Sequence, residues 1–409
     1  MPGVRSVAEL SEERGVRECI QWFSRERQWI NEQHLQLCRI PSPTFLEQRR
    51  AEWILAQFRA LGCDARIDRA GNVLAPVSGG RESKYIALTA HLDTVLAPRV
   101  PEEITLDGSG KLRGPGVSDN GAGLAALLAI ARAFTTFPQT ELNGTGLLLI
   151  ANVGEEGEGN LSGMRYLCRQ SSMATRIQSF LVLDGPTTDH ITYQALASRR
   201  FDVSFTGPGG HSWSDYGICN PVHALSRAIS LFSERRAGMS PTHRSSYNFG
   251  VIEGGLSINS IPTSARAKVD IRSESAELLD ELAALLTSSV ENAREVENER
   301  ATGPKVQAKI KEIGSRPGGR LPDGAPLLAY LRAVDAHLGI RARLDCASTD
   351  ANIPLSMGIP AVSIGAGGQG GGAHTPAEWF HPEGREIGLA RIYLTLCLLL
   401  RGLEIPAAG

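Results

Sequence analysis

The sequence predicts an α/β fold in which a doubly wound mixed sheet is interrupted by a smaller inserted domain. Short apolar runs that end in polar or turn residues alternate with segments of helical periodicity, which is typical of a sheet covered by helices on both faces. Between residues 193 and 311 the pattern changes to alternating strands around two amphipathic helices. The length of 409 residues exceeds one ordinary core, so two domains are expected.

Apolar runs predict the buried strands of the larger domain, and such uninterrupted runs are typical of parallel strands. They are KYIALTAHLDTV (84–95), TGLLLIANVG (145–154), SFLVLDGP (179–186) and IPAVSIGAGG (359–368). Helical spacing is found in AEWILAQFRALG (51–62), GAGLAALLAIARAF (121–134) and REIGLARIYLTLCLLLRGL (385–403). We therefore predict a discontinuous domain formed by residues 1–192 and 312–409.

The segment 193–311 predicts a β-α-β-β-α-β order, which is that of a ferredoxin-like unit. LASRRFDVSFTG alternates like a strand, and NPVHALSRAISLFSERR follows with helical spacing. Two further strands precede a second helix, which is expected to place Leu278, Leu282, Leu285 and Leu286 on one face. The strictly alternating run KVQAKIKEI closes the unit. The larger sheet resumes afterwards, so this unit is an insertion.

Composition excludes several classes of function. A net charge of −2 and a pI near 6.5 give no basic surface for nucleic acid or an anionic membrane. The N-terminus lacks the apolar core of a signal peptide, and no apolar run approaches the ~20 residues that span a bilayer. The seven cysteines are odd in number and scattered, which favours reduced thiols and a cytoplasmic location.

Two adjacent acids raise the question of chemistry. The run GLLLIA is followed by NVGEEGEGN, in which Glu155 and Glu156 stand side by side between glycines. Taken alone, such a pair is typical of a solvated turn. The other predicted strand ends and the beginning of the Ala-rich helix carry further residues of metal-binding type: His91, Asp93, Asp119, Asp184 and His374. For Asp119 alone, a helix N-cap is the alternative interpretation.

Electrostatics favours a metal site over a set of unrelated, solvated acids. The carboxyl ends of parallel strands meet at one edge, so five carboxylates and two imidazoles are expected to converge there. Two bare carboxylates about 4 Å apart repel by about 4 kcal/mol at an effective dielectric of about 20, so the cluster requires cations. Mixed nitrogen and oxygen ligands suit two zinc ions, with manganese or cobalt as alternatives. Two ions sharing one carboxylate, with a further acid as base, are used in hydrolysis.

An ordered set of motifs resembles those of the dinuclear zinc amide hydrolases. That family includes peptidase T, acetylornithine deacetylase, succinyl-diaminopimelate desuccinylase and the aminoacylases. The resemblance runs from roughly residue 30 to 400 and covers both predicted domains. The matching segments are HLDTV, GPGVSDNGAG, GEEGEGNLSG, LDGP, GPGGHSW, INSIPTSARAKVDIR and STDANIPLSMGIPAVSIGAGGQGGGAHTPAEW.

The resemblance implies a role for each residue of the cluster. His91 and Asp184 would hold one ion, Glu156 and His374 would hold the other, and Asp119 would bridge the two.

Two further acids would serve the ions without binding them. Glu155 would be the general base that passes the proton of water to the leaving amine. Asp93 would orient the His91 imidazole, as metal-bound imidazoles usually require. A capped strand end is the alternative interpretation of Asp93.

The resemblance also implies that the inserted domain is a lid and that it forms a homodimer. His211 in GGHSW would reach the active site of the partner subunit and stabilise the developing oxyanion. Asn259 and Arg272 would contact the substrate, Arg272 through a carboxylate. The residue types alone leave two alternatives, a histidine that caps a turn and a surface arginine on an edge strand. Thr349 and Asp350 match a further substrate-side motif.

The resemblance implies an exopeptidase that acts on small peptides, and SDNGAG and STDAN favour tripeptidase-like members of the family. The alternatives are an N-acyl amino acid deacylase and a non-catalytic scaffold that binds metal. Glycines 365, 367 and 370 also fit the fingerprint G-x-G-x-x-G, but the expected acidic residue on a following strand is missing. Nucleotide binding is therefore not expected.

Overall fold

The computed structural model describes residues 6–77, 84–138, 144–235 and 243–402. The chain divides into two compact units, one formed by Met1–Ala195 with Gly319–Gly409 and the other by Leu196–Gly318.

The described chain begins with four consecutive helices, and strands and helices are interspersed after them. The helices are α1 Val7–Glu12, α2 Arg14–Arg25, α3 Arg27–Cys38, α4 Gln48–Ala60, α5 Gly121–Thr136, α6 Ser162–Arg169, α7 Pro221–Glu234, α8 Ala276–Arg300, α9 Pro326–Leu338, α10 Asn352–Ser356 and α11 Arg385–Arg401. The strands are β1 Arg66–Ile67, β2 Val73–Pro76, β3 Lys84–His91, β4 Thr105–Leu106, β5 Leu112–Arg113, β6 Thr145–Asn152, β7 Ile177–Leu183, β8 His190–Ala195, β9 Ala197–Thr206, β10 Gly210–His211, β11 Ser245–Gly254, β12 Ser260–Ile261, β13 Ser264–Ser273, β14 Gln307–Arg316, β15 Gly319–Arg320, β16 Arg343–Ala347, β17 Ala361–Ile364, β18 Gln369–Gly371 and β19 Trp379–His381. None of the helices in these described ranges has the length and apolar content needed to cross a bilayer.

The larger unit is built on a mixed sheet, which confirms the predicted fold class. In the described residues its strand order is β1-β2-β6-β3-β7-β17-β8-β15, with β16 also pairing β8. The four strands predicted as buried are adjacent at its centre, and they are mutually parallel. Their residues are almost entirely buried because helices cover them, as continuous apolar runs require. The carboxyl ends of all four therefore lie at the same edge.

The glycine-dense stretch after β17 serves close packing. A Cβ atom at Gly365 would lie 1.9 Å from the carbonyl oxygen of Pro186, and one at Gly367 would lie 2.8 Å from the Cα of Gly388. The stretch continues into a short strand, β18, rather than into a helix. It therefore lacks the strand–turn–helix context of a nucleotide-binding fingerprint, and close backbone approach explains its glycines.

The smaller unit has the predicted β-α-β-β-α-β order. Its four long strands form an antiparallel sheet in the order β11-β13-β9-β14, and α7 and α8 contribute apolar residues to its core. The buried face of α8 is turned relative to the prediction, because Leu279, Leu282 and Leu286 are buried while Leu278 and Leu285 are only partly buried. Leu278 and Leu279 are consecutive, as are Leu285 and Leu286, so the sequence does not decide which leucine of each pair faces the core.

The division between the units differs slightly from the predicted boundaries of 192/193 and 311/312. It falls at 195/196 and at 318/319. The later second boundary has a clear cause, because β14 continues to Arg316 and stays paired with β9 to its last residue.

A buried ion pair joins two helices of the larger unit. The Arg391 side chain on α11 is fully buried, and its Nε and Nη2 donate to the two carboxylate oxygens of Asp335 on α9 at 2.6 and 2.7 Å. A bidentate pair of this kind satisfies both charges away from water. Removing one member leaves the other charge buried and unpaired.

We predict that Arg391→Met lowers the free energy of unfolding by about 3 kcal/mol, because the Asp335 carboxylate loses its counter-ion. Urea unfolding followed by circular dichroism measures the change. The double variant Arg391→Met/Asp335→Leu is the control, and it should recover most of the loss. A single variant as stable as the double one would contradict the explanation.

Candidate metal centre

The predicted acids and histidines of the larger unit lie at the carboxyl edge of its central strands. Five of them end or follow β3, β6 or β7, which run in the same direction, whereas Asp119 and His374 reach the edge on loops. The structure brings the following residues to this edge: His91 at the end of β3, Asp93 just after it, Asp119 before α5, Glu155 and Glu156 after β6, Asp184 after β7, and His374 between β18 and β19.

Two groups of potential ligands share one carboxylate. In the first group, ligand atoms of His91, Asp119 and Asp184 lie within 4.8 Å of one another. In the second, those of Asp119, Glu156 and His374 do the same. Asp119 gives a different oxygen to each side, since its Oδ1 is 3.0 Å from His91 Nε2 and its Oδ2 is 3.1 Å from His374 Nε2. His374 Nε2 is also 2.9 Å from Glu156 Oε1.

Both groups fit divalent metal ions. Ligand atoms about 2.1 Å from a tetrahedral zinc ion are about 3.4 Å from one another. The ligand atoms of each group lie within 4.8 Å of one another, and three imidazole–carboxylate pairs are 2.9–3.1 Å apart, so small movements suffice to place each group around one ion. Each group offers one imidazole nitrogen and two carboxylates, a set that suits zinc and also manganese or cobalt. The shared Asp119 places the two groups side by side, as a dinuclear centre requires.

The charges of the cluster shift the pKa values of its members strongly. Burial and the neighbouring Asp119 carboxylate raise the pKa of Asp184 to about 7. Hydrogen bonds to Asp119 and Glu156 raise the pKa of His374 to about 10. Burial by itself lowers the pKa of His91, but its hydrogen bonds to Asp119 and Asp93 raise it well above the ordinary value. Protons thus offset part of the negative charge, and bound cations would take over that task as they displace them.

Asp93 links the first histidine to the two glutamates. His91 Nδ1 lies 2.9 Å from the backbone oxygen of Asp93 and 3.5 Å from its Oδ1. The Asp93 carboxylate also accepts the backbone N–H groups of Glu155 at 3.0 Å and Glu156 at 2.9 Å. Burial by itself raises the pKa of Asp93, but the bonds to His91 and to these amides lower it below the ordinary value. A single buried carboxylate therefore fixes both neighbouring segments.

The N-cap of α5 is Asn120, not Asp119. The Asn120 side-chain oxygen accepts the N–H of Gly123, and its Nδ2 donates to the backbone oxygen of Leu183 at 2.8 Å. The Asp119 carboxylate is thereby left to face the two histidines, which rejects the alternative interpretation considered for it. The three consecutive polar residues SDN gave no indication of which one would cap the helix.

Thr44 was missed by the sequence analysis. Its hydroxyl donates to Asp93 Oδ2 at 2.9 Å and so completes the hydrogen bonding of that carboxylate. The two residues are 49 positions apart, and threonine in a Pro-Ser-Pro-Thr loop has no pattern that indicates such a contact. Asp350, which was expected on the substrate side, is fully buried and accepts a hydrogen bond from Asn152 Nδ2 at 2.6 Å.

In the smaller unit His211 is exposed, and its imidazole hydrogen-bonds to two backbone N–H groups. Its Nδ1 accepts N–H groups of Trp213 at 3.2 Å and Ser214 at 3.4 Å, so the histidine does cap a turn. Because Nδ1 accepts, the proton of the neutral ring is on Nε2, which is then a donor. Asn259 supports the same turn through its backbone oxygen, which accepts the N–H of Ser212 at 3.0 Å.

Arg272 lies on β13, an inner strand of the small sheet and not an edge strand. Its Nε donates to Asp270 Oδ2 at 2.6 Å. The other oxygen of Asp270 accepts from Arg200 Nε at 3.0 Å, so the aspartate is shared by two arginines. Arg272 is therefore a partly buried, oriented guanidinium and not a free surface charge.

The sequence matches the model of one protein family over most of its length. Residues 87–397 match the family described as "Peptidase family M20/M25/M40". The chain belongs to this family. It is an enzyme of the metallopeptidase and amidohydrolase class, and the predicted family resemblance is confirmed.

Similar curated proteins and solved structures cover much of the chain. The uncharacterised protein YqjE of Bacillus subtilis is 25% identical over 350 residues, covering 82% of this chain and 89% of YqjE. The cytosol non-specific dipeptidase of Escherichia coli is 25% identical over 275 residues, covering 60% of this chain and 54% of the dipeptidase. A tripeptidase structure from Staphylococcus aureus superposes with a TM-score of 0.74 at 20% identity, covering 91% of this chain and 98% of the tripeptidase chain. This last similarity shows the fold.

We predict that His374→Ala lowers the metal content of the purified protein towards one ion per chain, because the second group loses its nitrogen donor. Elemental analysis after dialysis against buffered zinc measures this content. His381→Ala is a matched control, since that imidazole bonds to the backbone oxygen of Ser109 and is outside both groups. Two ions per chain in His374→Ala would count against the assignment.

Proposed function

We propose that this enzyme is an exopeptidase of the tripeptidase or aminopeptidase type, which hydrolyses an amide bond in small peptides. The observation that carries the proposal is the carboxylate of Asp119 shared between two ligand groups, with Glu155 beside one of them. The motifs SDNGAG and STDAN favour this activity over the removal of an acyl group from an N-acyl amino acid, which is the second candidate.

Five residues are proposed to hold two divalent ions, zinc in the first place and manganese or cobalt as alternatives. His91 and Asp184 would bind one ion, Glu156 and His374 the other, and Asp119 both. The two groups of converging ligand atoms support this division. The ions would polarise the amide carbonyl and lower the pKa of the attacking water.

Glu155 is proposed as the general base. The residue is 5% exposed, and one of its carboxylate oxygens lies within 4.8 Å of ligand atoms of His91 and Glu156. The Asp93 carboxylate holds the Glu155 backbone N–H at 3.0 Å and so limits the movement of the side chain. A carboxylate in this place takes the proton of the attacking water at one oxygen and gives it to the leaving nitrogen.

The smaller unit is proposed to be a lid and dimerisation domain, with His211 serving the site of the partner subunit. The Nε2–H of His211 would donate to the carbonyl oxygen as negative charge develops there. Arg272 would bind a substrate carboxylate, and Asn259 would contact the substrate beside it. The acceptor role of His211 Nδ1 supports the first assignment, since it fixes the donor at Nε2.

The surface of the smaller unit supports a homodimer. Strand β11 is at an edge of the small sheet, and it exposes Val251 and Ile252. Leu256 and Ile258 in the following loop are almost completely exposed. Edge strands with exposed apolar residues pair readily with another chain, and a second copy would cover them.

A cytoplasmic location is also proposed. All cysteines of the chain fall in the described residues and all are free thiols, most of them buried. Thiols that persist without pairing are typical of a reducing compartment.

The decisive experiment assays the purified protein with zinc, manganese or cobalt against dipeptides, tripeptides and N-acyl amino acids. We expect amine release from peptides, and Glu155→Gln should lower turnover by about 10²–10⁴-fold while the metal content stays unchanged, because only the base is lost. Released amine and bound metal are both measured.

The matched control is Glu158→Gln, an exposed acid in the same short turn, which should retain full turnover. Release only from N-acyl amino acids would favour the second candidate. Near-normal turnover in Glu155→Gln would refute its role as base.

We also predict that two inactive variants complement each other across the dimer. Mixing His211→Ala with Glu155→Gln subunits should restore part of the activity, because a mixed dimer contains one site with an intact base and an intact histidine from the partner subunit. The activity of the mixture is measured after subunit exchange has been verified by mass labelling.

His223→Ala is the control for His211, since it removes an exposed imidazole from α7 of the same unit and should remain active alone. Verified exchange without recovered activity would show that His211 acts within its own chain.

A further inference from the structure

A buried glutamate, Glu378, accepts three backbone N–H groups from the segment that ends in Asp119. Its Oε1 accepts from Ser118 at 2.7 Å and from Asp119 itself at 2.8 Å, and its Oε2 accepts from Gly116 at 2.8 Å. The Glu378 residue is only 2% exposed. These three amides are its hydrogen-bond donors among the described residues, and no arginine or lysine pairs with it there.

Glu378 also belongs to the segment that carries His374. Its backbone N–H donates to the carbonyl oxygen of Thr375 at 3.2 Å, and its own carbonyl oxygen accepts from Gly114 at 2.9 Å. The next residue begins β19, which pairs with β5 just before the Asp119 segment. One residue thus joins the segments of two proposed metal ligands that are 255 positions apart in the chain.

The opposite side of the Asp119 segment is fixed as well. His34 Nε2 lies 2.7 Å from the carbonyl oxygen of Val117. Arg385 Nη2 donates to His34 Nδ1 at 2.5 Å, so the proton of the ring is on Nε2 and is donated to Val117. The segment is therefore held by its N–H groups on one side and by a carbonyl on the other. Glu378 decides the position of Asp119 most directly, because it bonds to the Asp119 amide.

A carboxylate is the side chain that this arrangement demands. Burying an unpaired charge is costly, and three charge-assisted hydrogen bonds offset that cost. A glutamine in the same place would offer one acceptor oxygen, and its NH₂ group would face a backbone N–H. At least one of the three bonds would become a donor–donor contact, and the segment would have to move.

We propose that Glu378 is a positioning residue for the metal centre, which fixes Asp119 so that its two oxygens address the two ligand groups. Nothing in the role requires contact with the substrate or with an ion. The inference rests on the proposed metal assignment, but it concerns metal binding and not the reaction. A residue that orients a ligand in this way typically changes metal affinity by about 10–100-fold when it is replaced.

The test measures the binding of Co²⁺ alone to the metal-free protein, by competition with a chromophoric chelator. Glu378→Gln should weaken at least one of the two binding steps by about 10–100-fold, because Asp119 is displaced from both groups. Glu378→Asp, which keeps the charge but is one methylene too short, should weaken binding as well and serves where Glu378→Gln fails to fold.

The control separates positioning from general stability. Asp335→Asn disturbs the buried pair with Arg391, so it should lower the urea midpoint of the metal-free protein and leave Co²⁺ affinity unchanged. Unchanged affinity in folded Glu378 variants, or an equal loss in Asp335→Asn, would overturn the inference. Wild-type protein that binds no Co²⁺ would overturn this inference and the metal assignment together. Two bound ions without hydrolysis of any substrate would reject only the proposed activity.

Discussion

The mutual repulsion of carboxylates at one edge of the sheet is the constraint on which the site depends. Parallel central strands deliver Glu156 and Asp184 to neighbouring positions, and the segment before α5 brings Asp119 beside them, where their charges cannot all remain uncompensated. The raised pKa of Asp184 expresses this conflict, and the raised pKa values of the two histidines express its partial relief. Divalent cations bound to such a cluster would stabilise the fold, because they would bind the folded state and relieve the repulsion within it.

Acids of the same chemical type divide into two kinds at this edge, and their surroundings make the difference. Asp93 and Glu378 have their oxygens occupied by backbone N–H groups, which hold the segments of the other residues in place. Asp119 and Glu156 instead direct oxygens at imidazole nitrogens. Asp93 and Glu378 resist displacement because each of their oxygens already accepts a hydrogen bond. Asp119 and Glu156 face imidazole nitrogens, so a metal ion could replace the proton between carboxylate and imidazole. Rigid supports around exchangeable ligands are what a preorganised centre needs.

The sequence predicted those parts of the site that follow from strand direction. The central strands and the acids at their ends were found because uninterrupted apolar runs and a common edge are local patterns with one geometric consequence. Thr44 and Glu378 were not found, since their roles depend on contacts across 49 and about 260 positions. Asn120 was not identified as the N-cap of α5 because its neighbour Asp119 is an equally good capping residue. The register of α8 was missed for a different reason, because Leu278 and Leu279 offer the helix two equivalent faces.

Recognition of a substrate carboxylate would not distinguish a peptide from an N-acyl amino acid. Asp270 occupies Nε of Arg272, so a bound carboxylate would use the two terminal nitrogens of an already oriented guanidinium. A dipeptide and an N-acyl amino acid both present an α-carboxylate one residue beyond the scissile amide, so such an arginine would serve either substrate equally well. The two differ on the other side of the scissile bond, where a peptide has an ammonium group and an N-acyl amino acid has an uncharged acyl group. Selectivity between the two substrates must therefore come from the residues that contact the ammonium or acyl group. A pocket that binds an ammonium group leaves its own charge unpaired when an acyl group enters, and an apolar pocket leaves the ammonium group unpaired.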